Sequence, residues 1–239
     1  MKYVKFVGSD LQKLNLSLVD LSDEEFVEIL KLCPNLKELK CPKKLLTKEI
    51  LNHLPKALIS PLDLELDNDI KNVDLALLPR GLNKLTIQCN RNITDECIPH
   101  LPPNLTYLYL GGTTEGLSDK GIASLPRDLT FLNISSSQTL TDGCVKDLPP
   151  YLETLSFPLN NKLSDASVSI LPRTLTSINL SSNKRLTPSS IPHLPPNLLS
   201  INIADNKNFE DRGQYSLPTN LKLYDNTEKT KKRPKINKK

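Results

Sequence analysis

Residues 148–172 read LPPYLETLSFPLNNKLSDASVSILP, and this stretch holds one complete unit of a repeating pattern. It opens on Leu148-Pro149 and spaces Leu152, Leu155 and Phe157 as L-x-x-L-x-L. Asn160 follows three residues on, then Leu163-Ser164-Asp165 and Val168, and the unit closes on the next pair, Leu171-Pro172. Outward from here the punctuation recurs: Leu54, Leu78, Leu101, Leu125, Leu148, Leu171, Leu194 and Leu217 each precede a proline, 23 or 24 residues apart. The apolar set returns as Leu82, Leu85, Ile87, as Leu105, Leu108, Leu110, and as Leu129, Leu132, Ile134. Leu fills 46 of 239 positions while aromatics reach only 5%. One side chain is being used over and over in equivalent places, which is the mark of a repeat architecture.

Each part of the unit has a physical task. The last apolar residues of L-x-x-L-x-L alternate, so they share one face of a short strand. Ser or Thr followed by Asp suits a helix start, the hydroxyl capping a free amide and the carboxylate facing the positive helix end. Ser22 and Glu25 have capping-box spacing. Few residues remain before each Leu-Pro, so the outer segment is one or two turns, partly 3₁₀, and proline stops it. Asn at the strand-to-turn corner supplies a buried amide to loop backbone groups. No unit can bury its apolar face alone; stacked units can.

These motifs resemble the leucine-rich repeats over residues 11–226. The Thr-Asp-x-x-Ile segment is similar to the cysteine-containing repeats of F-box substrate receptors. The Leu-Pro-x-x-Leu start is similar to bacterial effector repeats and to the FNIP-like repeats of amoebae and giant viruses. The period is shorter than the cysteine-containing type, Asn stands at the corner Cys, and the FNIP Phe-Asn pair is missing. The resemblance implies an α/β, right-handed solenoid of about ten units, with a parallel sheet on the concave face and short helices or 3₁₀ turns on the convex face. It also implies an intracellular protein-binding role, in host interaction or as a ubiquitin-adaptor-like substrate binder.

Regularity fails in two places. Pro61 falls inside an expected strand while Leu62, Leu64 and Leu66 alternate, which predicts a bulged or shifted strand. The last unit, Leu221-Lys222-Leu223-Tyr224, loses the spacing and reads as a cap. The expected organisation is an N-terminal cap over 1–10, the solenoid over 11–226 and a basic disordered tail over 227–239. From Glu228 onward seven Lys or Arg face one Glu, so the net charge of +4 divides into +6 for the tail and −2 for the body. A near-neutral body argues against a folded nucleic-acid groove. Lys231, Lys232, Arg233 and Lys235 resemble a nuclear-localisation signal, so a nucleus-directed or nucleic-acid-associated protein acting through the tail is the alternative reading. No apolar run approaches a membrane span or a signal peptide, and five Cys without small-domain spacing favour a reducing compartment. The cytoplasm, of a host cell for an effector-like protein, is the expected location, and the chain is expected to be monomeric.

Nucleophile and metal patterns dissolve into the repeat. His53, His100 and His193 each sit just before Leu-Pro, on units too far apart to share a metal. Cys97 and Cys144 fill a small-residue slot that other units give to Gly121, Ser167 and Ser190. No phosphate loop, nucleophile elbow or paired-carboxylate motif stands out. The chain is thus read as non-enzymatic and without cofactor or metal, and no ligase domain or F-box segment is expected beside the repeats. What remains is the concave face, where Tyr107, Tyr109 and Phe131 fall on adjacent strands with Lys84, Thr86, Gln88 and Asn133 around them. Clustered aromatics on an exposed face are the usual anchors of a protein interface.

Overall fold

The computed structural model describes residues 8–41, 45–59, 61–66, 69–88, 92–111, 116–135, 137, 139–209 and 216–223, with backbone alone at Leu45, 63–66 and Gln88. Strands open the units in turn: β1 (Lys13–Asn15), β2 (Glu38–Lys40), an additional short β3 (Leu45–Leu46), β4 (Leu62–Leu66), β5 (Lys84–Gln88) and β6 (Tyr107–Gly111). They continue as β7 (Phe131–Ile134), β8 (Thr154–Ser156), β9 (Ser177–Asn179), β10 (Ser200–Asn202) and β11 (Lys222–Leu223). Strands β3 to β11 lie side by side in chain order as one nine-stranded sheet, and each adjacent pair is parallel. Parallel neighbours in chain order demand a crossover behind the sheet at every step, and such crossovers are almost always right-handed. The architecture is an α/β leucine-rich-repeat solenoid.

The crossovers are short α-helices or 3₁₀ turns, alternating only from Asp95 to His193. The helices are α1 (Asp23–Leu32), α2 (Lys48–His53), α3 (Asp119–Ala123) and α4 (Asp165–Ser169); 3₁₀ turns span Asn72–Leu77, Asp95–His100, Asp142–Asp147 and Pro188–His193. Pro99 and Pro192 lie inside two of the 3₁₀ turns and withhold a helical donor there. Helix α1 carries the full capping box of Ser22 and Glu25. Leu78, Leu101, Leu148 and Leu194 end their turns with ψ between 142° and 151°, the extended backbone that a following proline imposes. In most units the proline carbonyl then accepts the N–H of the Leu three residues on, as in Leu82 to Pro79, Leu152 to Pro149 and Leu175 to Pro172. That turn explains the Leu-Pro-x-x-Leu spacing.

Behind the sheet, Leu85, Leu108, Leu132, Leu155 and Ile178 form a continuous buried row, each at most 2% exposed. At the corner, Asn160, Asn183 and Asn206 are buried and donate to the carbonyls of Ile134, Phe157 and Leu180 in the preceding unit. The residue before each of them, Leu159, Ser182 or Asp205, takes a left-handed φ near 60°.

The carboxylates at the turn starts do more than face a helix end. The Oδ1 of Asp95, Asp119, Asp142 and Asp165 accepts the backbone N–H of Ser118, Thr141, Ser164 and Thr187 in the following unit. The same four hydroxyls donate to the other carboxylate oxygen. Asn72 makes the equivalent rung to Thr94, its Oδ1 accepting the N–H and its Nδ2 donating to the hydroxyl. Charge-assisted hydrogen bonds of this kind are the stronger class, and here they join each unit to the next.

Pro61 shifts its strand as expected, with Leu62 paired to Leu85 and Leu64 to Ile87. The consequence reaches further than a local bulge. Pro61 has no N–H to offer β2, and β1 and β2 form a separate two-stranded sheet. Across this joint, Ile59 N–H reaches Lys37 O at 3.1 Å, and Lys48 Nζ of α2 lies 2.7 Å from the buried carboxylate of Asp74. At the other end β11 pairs one residue early, Ser200 with Lys222 and Ile201 with Leu223, and Tyr224 lies outside the described residues.

Candidate functional site

Register decides what the concave face presents. Lys84 is opposite Tyr107, and Tyr107 is opposite Phe131, so these three form one row across β5, β6 and β7. Thr86, Tyr109 and Asn133 form the next row, and Gln88 with Gly111 a third. The apolar residues between them, Leu108, Leu110, Leu132 and Ile134, face the core and are buried. All seven residues read from the sequence therefore fall on three adjacent strands of one face, Gln88 by its backbone alone.

Within the patch the rings separate into two arrangements. Tyr107 and Phe131 stack with centroids 3.9 Å apart and planes 7° from parallel. Strands are spaced about 4.8 Å apart, so the two rings lean together. Lys84 Nζ lies 5.7 Å from the Tyr107 centroid, on the side away from Phe131, within cation–π range. Tyr109 does not join the stack; it lies along its own strand over Gly111, where a Cβ would collide with the ring. Gly111 is the one residue that permits this placement. Asn133 Oδ1 is shielded from solvent and accepts no hydrogen bond.

The rows on either side differ in chemistry. Toward the N-terminus charged residues take the strand positions: Lys13 pairs with Glu38 at 2.6 Å in the β1–β2 sheet, and on β4 the backbones of Asp63 and Glu65 register with Thr86 and Gln88. Toward the C-terminus, from Phe131 to Asn202, they are uncharged: Thr154, Ser177 and Ser200 in one row, and Ser156, Asn179 and Asn202 in the other. Asn179 and Asn202 each accept, at Oδ1, the N–H two residues on; Asn179 is half-buried and Asn202 is buried.

Other reactive side chains are placed for structure. Cys97 and Cys144 are fully buried, and burial, with nearby carboxylates, pushes both thiols up to about 12. Thiols held protonated at neutral pH are poor nucleophiles. His53 Nδ1 sits 2.8 Å from Glu49 O, one turn back in α2. Among the described residues, no group of three or more His, Cys, Asp or Glu side chains could hold a metal ion, and no helix is long and apolar enough to cross a membrane. Lys231, Lys232, Arg233 and Lys235 lie outside the described residues.

The sequence pattern missed two sets of inter-unit contacts. One is the series of Asp rungs. The other is Arg80 and Arg127, which reach forward to the last-turn carbonyls of the next unit, at His100 and Leu101 and at Asp147 and Leu148. In the sequence Arg80, Arg127 and Arg173 alternate with Pro103, Pro150 and Pro196, and the first two of these arginines make the contact.

No family model matches the chain, and no curated protein matches it. Two solved structures are similar to it over most of its length. The leucine-rich repeat-containing protein LegL7 from Legionella pneumophila is 17% identical with a TM-score of 0.42, over 83% of this chain and 67% of that one. The complex of Rad7 and Elc1 in yeast is similar at 17% identity and a TM-score of 0.46, over 94% of this chain and 83% of that one. Neither likeness bears on function.

Proposed function

We propose that the chain is a non-enzymatic recognition module that seats a protein partner on the concave face. Tyr107, Tyr109 and Phe131 are its anchors, with Lys84, Thr86, Gln88 and Asn133 around them. The supporting observation is the stacked Tyr107–Phe131 pair, left half-buried on the open sheet face. A strand surface that only had to be wetted would carry hydroxyls and amides, as β8 to β10 do. Large rings cost solubility unless something covers them, and aromatic side chains are enriched in the buried centres of interfaces.

The test is affinity capture from a cell lysate with the intact chain and a Tyr107→Ser/Tyr109→Ser/Phe131→Ser variant, each shown to be folded by circular dichroism. A discrete protein retained by the intact chain and lost by the variant is expected. Equal retention would remove the site from the aromatic patch. The narrower role, in host interaction or as a ubiquitin-adaptor-like substrate binder in the cytoplasm, rests on the resemblance of the Leu-Pro repeats; a captured ubiquitin-ligase component would support it.

A second reading places function in the tail, because the charge of +6 from Glu228 onward contrasts with −2 for the rest. It predicts that truncation before Glu228 abolishes nuclear accumulation or nucleic-acid binding, and that any such binding weakens steeply with salt. Binding that survives truncation removes this reading.

A further inference from the structure

The aromatic stack is closed at one end and open at the other. Lys84 covers the outer face of Tyr107, and Tyr107 covers one face of Phe131. The opposite face of Phe131 looks toward β8, where its register partner is Thr154 and the next residue across is Ser177. A Thr side chain ends at Cγ and Oγ, too short to cover a six-membered ring standing off the same sheet. Beside Phe131 there is therefore a slot one strand wide, about 4.8 Å, walled on one side by a ring face, floored by Thr154 and open on the other side, where Ser177 is shorter still. Its width is that of one more layer in the stack, since Tyr107 already sits 3.9 Å from Phe131 on the other side.

Charge limits what can lie beyond the slot. From Phe131 to Asn202 the concave rows hold no carboxylate, ammonium or guanidinium. A charged segment laid there would lose water and gain no counter-charge, a strongly unfavourable exchange. A peptide backbone, by contrast, finds polar partners: Ser177, Asn179 and Ser200 are half-buried, and the Asn179 amide is oriented by the Ser181 N–H on its Oδ1.

Resting on the concave-face reading above, we propose that the slot between Phe131 and Ser177 takes an aromatic side chain from an uncharged, extended segment of a partner protein. The segment runs over the hydroxyl and amide rows of β8 to β10, and its ring continues the Tyr107–Phe131 stack. The charged rows on the N-terminal side of Lys84 are not part of this contact.

A random linear-peptide phage library panned against the full chain tests the assignment. Peptides sharing one aromatic residue flanked by uncharged residues are expected. They should bind a Thr154→Trp variant, whose own ring fills the slot, roughly tenfold more weakly, a loss equivalent to one aromatic stacking contact. Thr154→Val, which keeps the floor, should leave binding within about twofold by the same reasoning. Ser177→Trp fills the slot from its open side and serves if the first variant loses its thermal transition. Enrichment of charged peptides, no enrichment, or equal binding to the filled variants would overturn the slot. Peptides indifferent to the filled slot but lost with Tyr107→Ser/Tyr109→Ser would remove the slot and leave the concave-face site standing. Peptides indifferent to both sets would remove both.

Discussion

The stack from β5 to β9 and the joint at Pro61 hold neighbouring units together in different ways. In the stack every interface repeats one recipe: a parallel ladder on the inner face, buried leucines behind it, and an Asp rung at the turn start. At the joint the ladder is interrupted by a residue with no N–H, and the outer side uses a Lys48–Asp74 ion pair in place of a hydroxyl rung. A solenoid's stability is close to a sum of unit and nearest-neighbour terms. Where the neighbour contact changes chemistry, its response to mutation and pH should change with it.

The largest expected effect belongs to the stack's core. Leu132 is fully buried in the middle of the sheet, and Leu132→Ala should cost about 2–5 kcal/mol through lost burial and a cavity that rigid neighbours cannot close. Urea denaturation checks this. A loss below 1 kcal/mol would mean that the central units relax around the gap, and the contrast with the joint would weaken.

Next in size are the rungs. Asp119→Ala leaves the Thr141 N–H and hydroxyl without their acceptors, for a loss of about 1–3 kcal/mol. Asp119→Asn should recover most of it, because Asn72 already serves Thr94 with an amide whose Nδ2 donates where a carboxylate would accept. If the two variants are equally destabilised in urea, the rungs act through charge at the turn start and not through matched hydrogen bonds.

The rungs also show how far the sequence could be read. The strands and the buried row were legible because a period of 23 or 24 residues places every Leu by arithmetic. Asp119 was not, because an acid at a helix start already has a local explanation and its partner lies 22 residues away. A sequence signal did exist. Where Pro188 replaces the aspartate, the following unit has Glu210 in place of the Ser or Thr, and where Lys48 replaces it, the following unit has Lys71. Acceptor and hydroxyl are absent together. The aromatic patch was legible as adjacency but not as arrangement: L-x-x-L-x-L spacing puts Tyr107, Tyr109 and Phe131 side by side, yet cannot say that Tyr109 lies over Gly111 while the other two stack. The split of the sheet at Pro61 was half legible, since a shifted strand follows from the pattern and a lost ladder needs the neighbour's geometry.

At the joint the prediction concerns pH. Burial pulls the Asp74 carboxyl upward, but its hydrogen bonds to Lys48 and to the Lys71 N–H outweigh this and hold it below the usual carboxylate range. A carboxyl depressed in the folded state contributes stability that is present above its unfolded value, about 3.9, and is lost as pH falls through the folded one. Lys48→Met should therefore cost about 1–2 kcal/mol near neutrality, a modest figure because the ammonium is largely exposed. The difference from the unmodified chain should shrink in acid as Asp74 protonates. Thermal melts from pH 7 down to pH 3 follow it, with amide exchange locating the loss in α1, α2 and their strands. A difference that stays constant with pH would mean that Lys48 acts at the joint by packing alone.

The smallest effect is expected where the stack carries a local penalty of its own. Leu159 holds φ at 63° and leaves its side chain half exposed, so it has the backbone cost of a left-handed residue without the return of full burial. Ser182 and Asp205 take the same conformation in the next two units, each ahead of a buried Asn that donates to the preceding unit. The turn geometry is therefore set by the Asn, not by the residue before it. Leu159→Gly removes the Cβ that disfavours this φ while adding freedom to the unfolded chain, so the change should lie between neutral and about 1 kcal/mol stabilising. Asn160→Ala, in contrast, should destabilise by about 1–3 kcal/mol, since the carbonyls of Ile134 and Pro158 lose their donor. If Leu159→Gly were as damaging as Asn160→Ala, the Leu side chain rather than the Asn would be positioning the corner, and the order of cause along β8 would run the other way.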